Sequence, residues 1–271
     1  MPTNAKVALV LGGIKGIGKA IALDLLCRGI RVAATWYDWP EHLAAMRADF
    51  AGTGTDHLIE AVDLRHTDLI AKVVERVVQR FDRLDILINN IERGGWPVVH
   101  GPYTRDQWDL ELAVTLRAKR WVFEAALPHL KASGDGCVVN ISSMAGIVGR
   151  SGPASYLFNE GYAAANRGIS LLTETWARLS APRVRVNELM LGLIETRHGP
   201  QTRGWELLTG DQRQAIIDHT LLARMGRITD VTRAVRFLLD DAPFMTGSVV
   251  RLDGGYPLGG EPVAAMPAGG I

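Results

Sequence analysis

The apolar run "KVALVL" passes directly into "GGIKGIG", and the helical pattern "KAIALDLL" follows at once. Gly12, Gly16 and Gly18 therefore fall at a G-x3-G-x-G spacing between a strand and a helix, with Lys15 and Ile17 interleaved. Glycine permits a tight turn and a close approach of backbone. At a helix N-terminus that approach points N–H groups and the positive end of the helix dipole at an anion such as a pyrophosphate. No other stretch restricts the fold as much. A chain that starts strand, glycine turn, helix needs a parallel neighbour for the strand and a cover for each face of the resulting sheet.

The rest of the sequence supplies both. Short β-branched runs, "IRVAAT", "HLIEAV", "DILINN", "CVVNIS", "VRVNEL" and "GSVVRLD", alternate with longer helical patterns such as "LIAKVVERVVQRF" and "WDLELAVTLRAKRWVFEAALPHL". Those connections are too long for hairpins and suit right-handed crossovers. The reading is an α/β fold, a single-domain Rossmann-type doubly wound sheet, mostly parallel and seven-stranded, with helices on both faces. Residues 1–256 form that domain, and 257–271, "PLGGEPVAAMPAGGI", form a Gly/Pro/Ala-rich C-terminal tail.

Charge and cysteine usage exclude several roles. Thirty Lys and Arg against 29 Asp and Glu leave a formal charge of +1, too weak a field to attract nucleic acid or an acidic membrane. Cys27 and Cys137 lie far apart, without metal-ligand spacing, in apolar runs that favour buried, reduced thiols. No metal site is expected. The N-terminal apolar run is too short for a signal peptide, and no segment nears the roughly 18 to 20 apolar residues of a membrane span. The expectation is a soluble, cytoplasmic protein.

Taken together and in order, "GGIKGIG", "DLRHTD", "DILINN", "VVNISS", "RVRVNELMLGLIET" and "MTGSVVRLDGG" resemble the short-chain dehydrogenase/reductase family over about 250 residues. The resemblance implies a nicotinamide dinucleotide, a small-molecule carbonyl or alcohol substrate, and a homotetramer or homodimer built on long helices. It places the dinucleotide on Gly12, Lys15, Gly16, Ile17 and Gly18, on Asp63 and Leu64 after the third strand, and on Asn90 and Ile91 after the fourth. Asn166, Gly192, Ile194 and Thr196 complete the contacts. Asp63 is positioned to accept from an adenine amino group. The residue that selects between NAD and NADP falls at Trp36 rather than at an acid, and Asp38 stands two residues on. With Lys15 available for a 2'-phosphate, the balance leans to NADP over NAD.

At the reacting end the resemblance implies an Asn, Ser, Tyr, Lys tetrad. Ser143, with Ser142 beside it, matches the serine. Two tyrosines compete. Tyr156 lies 13 residues beyond Ser143, the family's usual separation, but its i+4 partner is Glu160, and a carboxylate would raise the phenol pKa. Tyr162 lies 19 beyond, and Tyr162, Thr173, Ala177, Pro182 and Asn187 keep the family's register, so Tyr162 is favoured. The price is six apparent extra residues between Ser143 and Tyr162. The i+4 partner of Tyr162 is Asn166, where the family has lysine.

Asn166 can bond a ribose hydroxyl but brings no charge. A nearby cation lowers an acid's pKa by roughly 1 to 3 units, and without one Tyr162 should stay near about 10. Reduction of a carbonyl, which starts from the neutral phenol, should suffer less than oxidation. Thr115, counted from Pro128, takes the place of the tetrad asparagine, and "NNIE" puts Ile91 and Glu92 beside the dinucleotide path. Lys119, one turn beyond Thr115, and Arg167 read as surface charges. Arg197, His198, Arg203 and Trp205 belong to the segment that would cover a substrate. Two functions follow: an NAD(P)-dependent oxidoreductase biased to carbonyl reduction, or a catalytically impaired member serving as a dinucleotide-binding or partner subunit.

Overall fold

A computed structural model describes residues 5–92, 103–196, 205, 208–260 and 263. The seven apolar runs become β1 Val7–Val10, β2 Arg31–Trp36, β3 His57–Ala61, β4 Ile86–Asn89, β5 Gly136–Ser143, β6 Val184–Leu191 and β7 Val249–Leu252. They form one sheet in the order β3-β2-β1-β4-β5-β6-β7. Every pairing is parallel. The central strands β1, β4 and β5 are buried along their whole length, while β3 and β7, at the edges, are not. That is the expected burial for a parallel sheet covered on both faces.

Helices α1 Gly16–Cys27, α2 Leu43–Gly52, α3 Thr67–Phe81, α4 Arg105–Glu111, α5 Lys119–Ser133, α6 Ala145–Val148, α7 Glu160–Ser180, α8 Gly210–His219 and α9 Ile228–Arg236 connect the strands. In α3, Ile70, Val73, Val74, Val77 and Phe81 are buried, the i, i+3, i+4, i+7 stripe of a helix lying on a sheet. One apolar cluster joins α3, α5 and α7 to one face, and another joins α1, α2 and α9 to the other. Phe123 of α5 stacks on Trp176 of α7 with ring centroids 4.4 Å apart. Between α4 and α5 the chain adopts a π-helical segment, Leu112–Ala118. Its wider turn resets which residues of α5 face inward.

Polar groups between sheet and helix are paired. Asn89 Nδ2 donates to Asn140 Oδ1, and Asn140 Nδ2 donates to Thr173 Oγ1, each at 2.8 Å. This ladder ties β4, β5 and α7 together. Cys137 is buried in β5, as expected, but Cys27 is exposed. The reason is helical phase: α1 buries Ile21, Ala22, Leu25 and Leu26, and Cys27 lies about 100° past the last of them.

The extra residues between Ser143 and Tyr162 form a wall of their own. They include a 3-10 turn, Pro153–Tyr156, with Ala154 and Phe158 buried in a third apolar cluster alongside Met190 and Tyr256. The Tyr256 hydroxyl accepts from the Ala154 N–H at 2.6 Å. Most of the tail, 261–262 and 264–271, lies outside the described residues, as do Arg197, His198 and Arg203.

Candidate active site

The strand order reverses between β1 and β4, and a crevice opens beyond the C-terminal ends of the strands there, as in other doubly wound sheets. The cavity is about 380 Å³. At its β1 end, Gly12 has φ +69° and Gly16 φ +57°, and a Cβ added at Gly18 would lie 2.1 Å from the Gly12 carbonyl oxygen. Glycine is therefore required by conformation at the first two positions and by contact at the third. Helix α1 starts with no side-chain cap and no acidic residue in its first turn, so its N-terminal N–H groups are not met by an acidic or capping side chain of their own turn. Asn90 Nδ2 donates to the Gly12 carbonyl at 3.3 Å and fixes the glycine turn against the end of β4.

The cavity wall carries Gly12, Lys15, Gly16 and Ile17 from this turn, Trp36 from β2, and Asp63 and Leu64 from the loop after β3. Asn90 and Ile91 follow β4, and Gly192, Ile194 and Thr196 follow β6. Gly18 is not on the wall; it lies behind the turn it shapes. Asp38 lies on the wall as well. Lys15 Nζ sits 3.2 Å from the centre of the Trp39 ring, a cation–π contact. The Asp63 carboxylate does not wait free for an amino group: Arg65 Nε reaches both its oxygens at 2.9 Å. Burial works against the charged carboxylate, but the Arg65 hydrogen bonds and charge outweigh it and hold Asp63 below the usual range. Arg65, itself on the wall and 5.6 Å from the Tyr37 ring, was absent from the sequence reading.

Ser143 at the end of β5 and Tyr162 in the first turn of α7 line the same cavity, whereas Tyr156 is 55% exposed and does not. The Tyr162 hydroxyl exchanges hydrogen bonds with Ser143 and with Glu92. Its phenol is not left near 10. Burial first, and then the Glu92 carboxylate, push it well above that value, with Ser143 pulling the other way. Asn166 is buried on the wall, with both ends of its amide engaged. Its Oδ1 accepts from the Ser143 N–H at 3.0 Å and its Nδ2 donates to the Tyr162 carbonyl at 2.9 Å. The side chain thus clamps the serine strand to the tyrosine helix.

Two expectations about the α4–α5 region fail. Thr115 is buried but off the wall, its hydroxyl donated to the Glu111 carboxylate, which also accepts from Tyr103 at 3.0 Å. Lys119 is no surface charge: it is 1% exposed, lines the cavity and donates through Nζ to the Ile141 carbonyl at 2.7 Å. Lysine is rarely buried, which favours the surface reading, yet Lys119 is buried together with its i+3 and i+4 neighbours Val122 and Phe123. Arg167 is exposed, as its phase predicts. Glu188 of β6 is buried, accepting from Ser142 and from Ser170, and burial raises its pKa. Trp205 is buried in the third cluster rather than solvated.

An open crevice at a strand-order reversal, a glycine-framed helix N-terminus and a serine–tyrosine pair on one wall define a class. A family model described as enoyl-(acyl carrier protein) reductase matches residues 12–257. The chain belongs to the short-chain dehydrogenase/reductase family and is of its oxidoreductase type. Within it, the chain is 32% identical over 259 residues to the 3-oxoacyl-[acyl-carrier-protein] reductase FabG of Thermotoga maritima, covering 94% of this chain and 99% of that one. The Staphylococcus aureus protein of the same name is 28% identical, covering 92% and 97%. A short-chain type dehydrogenase/reductase from Mycobacterium ulcerans superposes with a TM-score of 0.80 at 26% identity, covering 94% and 90%. No helix among the described residues is long and apolar enough to cross a membrane.

Proposed function

We propose that the protein is an NAD(P)H-dependent reductase of a small carbonyl compound, with Tyr162 as proton donor and Ser143 as the group that holds the substrate oxygen. The observation that carries this reading is the single cavity wall shared by the glycine turn, Ser143 and Tyr162. The residues fit a dinucleotide: a Cβ at Gly12 would press on the Asn90 carbonyl oxygen and one at Gly18 on that of Gly12, either deforming the turn, and the uncapped start of α1 faces the place of a pyrophosphate. When bound, the dinucleotide supplies the hydride from its nicotinamide.

The chain supplies the rest. Ser143 donates a hydrogen bond to the substrate oxygen and polarises the carbonyl. Tyr162 gives its proton to that oxygen as negative charge develops on it. Its raised pKa keeps it a neutral phenol at pH 7, the form reduction needs and oxidation does not. Asn166, standing where the family has lysine, keeps Ser143 and Tyr162 in register through its two amide bonds. At the adenosine end, Lys15 and Arg65 on the cavity wall would hold a ribose 2'-phosphate and favour NADP, with Asp38 opposing. Relatives named as 3-oxoacyl reductases point to a 3-oxoacyl thioester as the first substrate to try. The comparisons add nothing to the alternative of a turnover-deficient partner subunit.

With the acetoacetyl thioester of N-acetylcysteamine and NADPH, Tyr162→Phe should lose at least about a hundredfold in kcat while binding dinucleotide normally. Tyr156→Phe should stay within about threefold of the parent. Equal activity of the parent and Tyr162→Phe would reject Tyr162 as donor.

A further inference from the structure

Lys119 opens α5 at the end of the π-helical segment and is buried on the cavity wall together with Ser143, Tyr162 and Glu92. Its Nζ is anchored on the Ile141 carbonyl, two residues before Ser143 on β5. Burying an ammonium is costly unless partners repay it. Three carboxylates face this one: Glu92 from the loop after β4, Glu111 from α4 and Glu188 from β6. Glu92 also hydrogen-bonds the Tyr162 phenol. It therefore stands in both environments, that of the ammonium and that of the phenol. The geometry points to Lys119 as the cation of the proton path, acting through Glu92 on Tyr162 and supplying the charge that Asn166 lacks. Lys119 is in this sense a positioning and relay residue, and its role rests on Tyr162 being the donor.

The step balances. Hydride adds to the carbonyl carbon, Tyr162 gives its O–H proton to the carbonyl oxygen, and the O–H electron pair remains as phenolate. Glu92 then takes a proton from the Lys119 ammonium and delivers it to the phenolate, so an N–H bond breaks as the tyrosine O–H re-forms. Neutral Lys119 recovers its proton from water, and Glu92 ends as the carboxylate it began as. The direction is favourable. Burial pulls Lys119 down to about 8, against the three carboxylates, while Tyr162 sits well above 10. The proton therefore passes from the stronger acid to the weaker. Lysine near 8 is also charged at neutral pH and releases its proton readily.

The test is a pH–rate profile for NADPH-dependent reduction of the acetoacetyl thioester, with dinucleotide affinity measured in parallel. Parent kcat should fall as pH rises past about 8, where Lys119 loses its proton. Lys119→Met should lower kcat by at least about tenfold, remove that limb, and leave dinucleotide affinity within about twofold. Glu92→Gln should lower kcat by at least about tenfold and abolish the limb, because a carboxamide cannot take up the proton and pass it on. Methylammonium should restore part of the turnover of Lys119→Ala. The proposal is overturned if Lys119→Met keeps the parent's kcat and limb, or if it loses activity only in proportion to lost dinucleotide binding. Should Lys119→Met fail to fold, Glu92→Gln decides alone: a persisting limb rejects the relay. If instead Tyr162→Phe turns over normally, it is the donor assignment that has failed.

Discussion

Single side chains decide the choice of dinucleotide and the strength of the acid. At the adenosine end the cations are spoken for in the free protein: Lys15 rests on Trp39, and Arg65 grips Asp63. A 2'-phosphate would have to draw at least one of them away, and the cation–π contact of Lys15 is the weaker hold. Lys15→Ala is therefore expected to weaken NADPH binding by about tenfold, roughly 1.4 kcal/mol, and NADH binding by no more than about twofold. Quenching of tryptophan emission reads both, since Trp36 lies on the wall among seven tryptophans in the chain. A loss shared equally by the two dinucleotides would assign Lys15 to the turn rather than to the phosphate. At the other end, one amide oxygen of Asn166 accepts from the Ser143 N–H and bridges the 23 residues between them.

At the scale of elements, most of the architecture was legible and the depth of one lysine was not. All seven strands and their parallel pairing follow from short β-branched runs joined by long helical connections, while their order across the sheet comes only from the structure. The glycine turn was legible too: Gly18 has no alternative when a Cβ would sit 2.1 Å from a carbonyl oxygen. Lys119 is misplaced because a lysine is rarely buried, and Thr115 because a place in a family's register does not fix which cavity a side chain reaches. A signal was nonetheless present. Lys119 stands three residues before Val122 and seven before Ala126, on the buried stripe of its own helix. The Phe123–Trp176 stack is the joint that holds α5 to α7, and so holds Lys119 near Tyr162. Trp176→Ala should cost about 3 to 5 kcal/mol of stability in urea unfolding. A cost below about 1 kcal/mol would show that the two helices do not depend on that stack.

For the whole molecule, the outer surfaces of α5 and α7 carry Trp121, Leu171 and Leu179, with Leu171 66% exposed. Exposed apolar residues on the long helices beside a parallel sheet suit association of copies of the chain. Light scattering should give a mass of two or four protomers, and Leu171→Asp should lower it; an unchanged mass would clear α7 of that role. The bond between Tyr256 and Ala154 carries a different consequence, one that concerns time. The cradle for phosphate is complete once β4 exists, about a third of the way along the chain. The wall beyond Ser143, by contrast, is sealed by a residue that follows the last strand. During synthesis the wall beyond Ser143 is thus finished long after the glycine turn, only when residue 256 has left the ribosome.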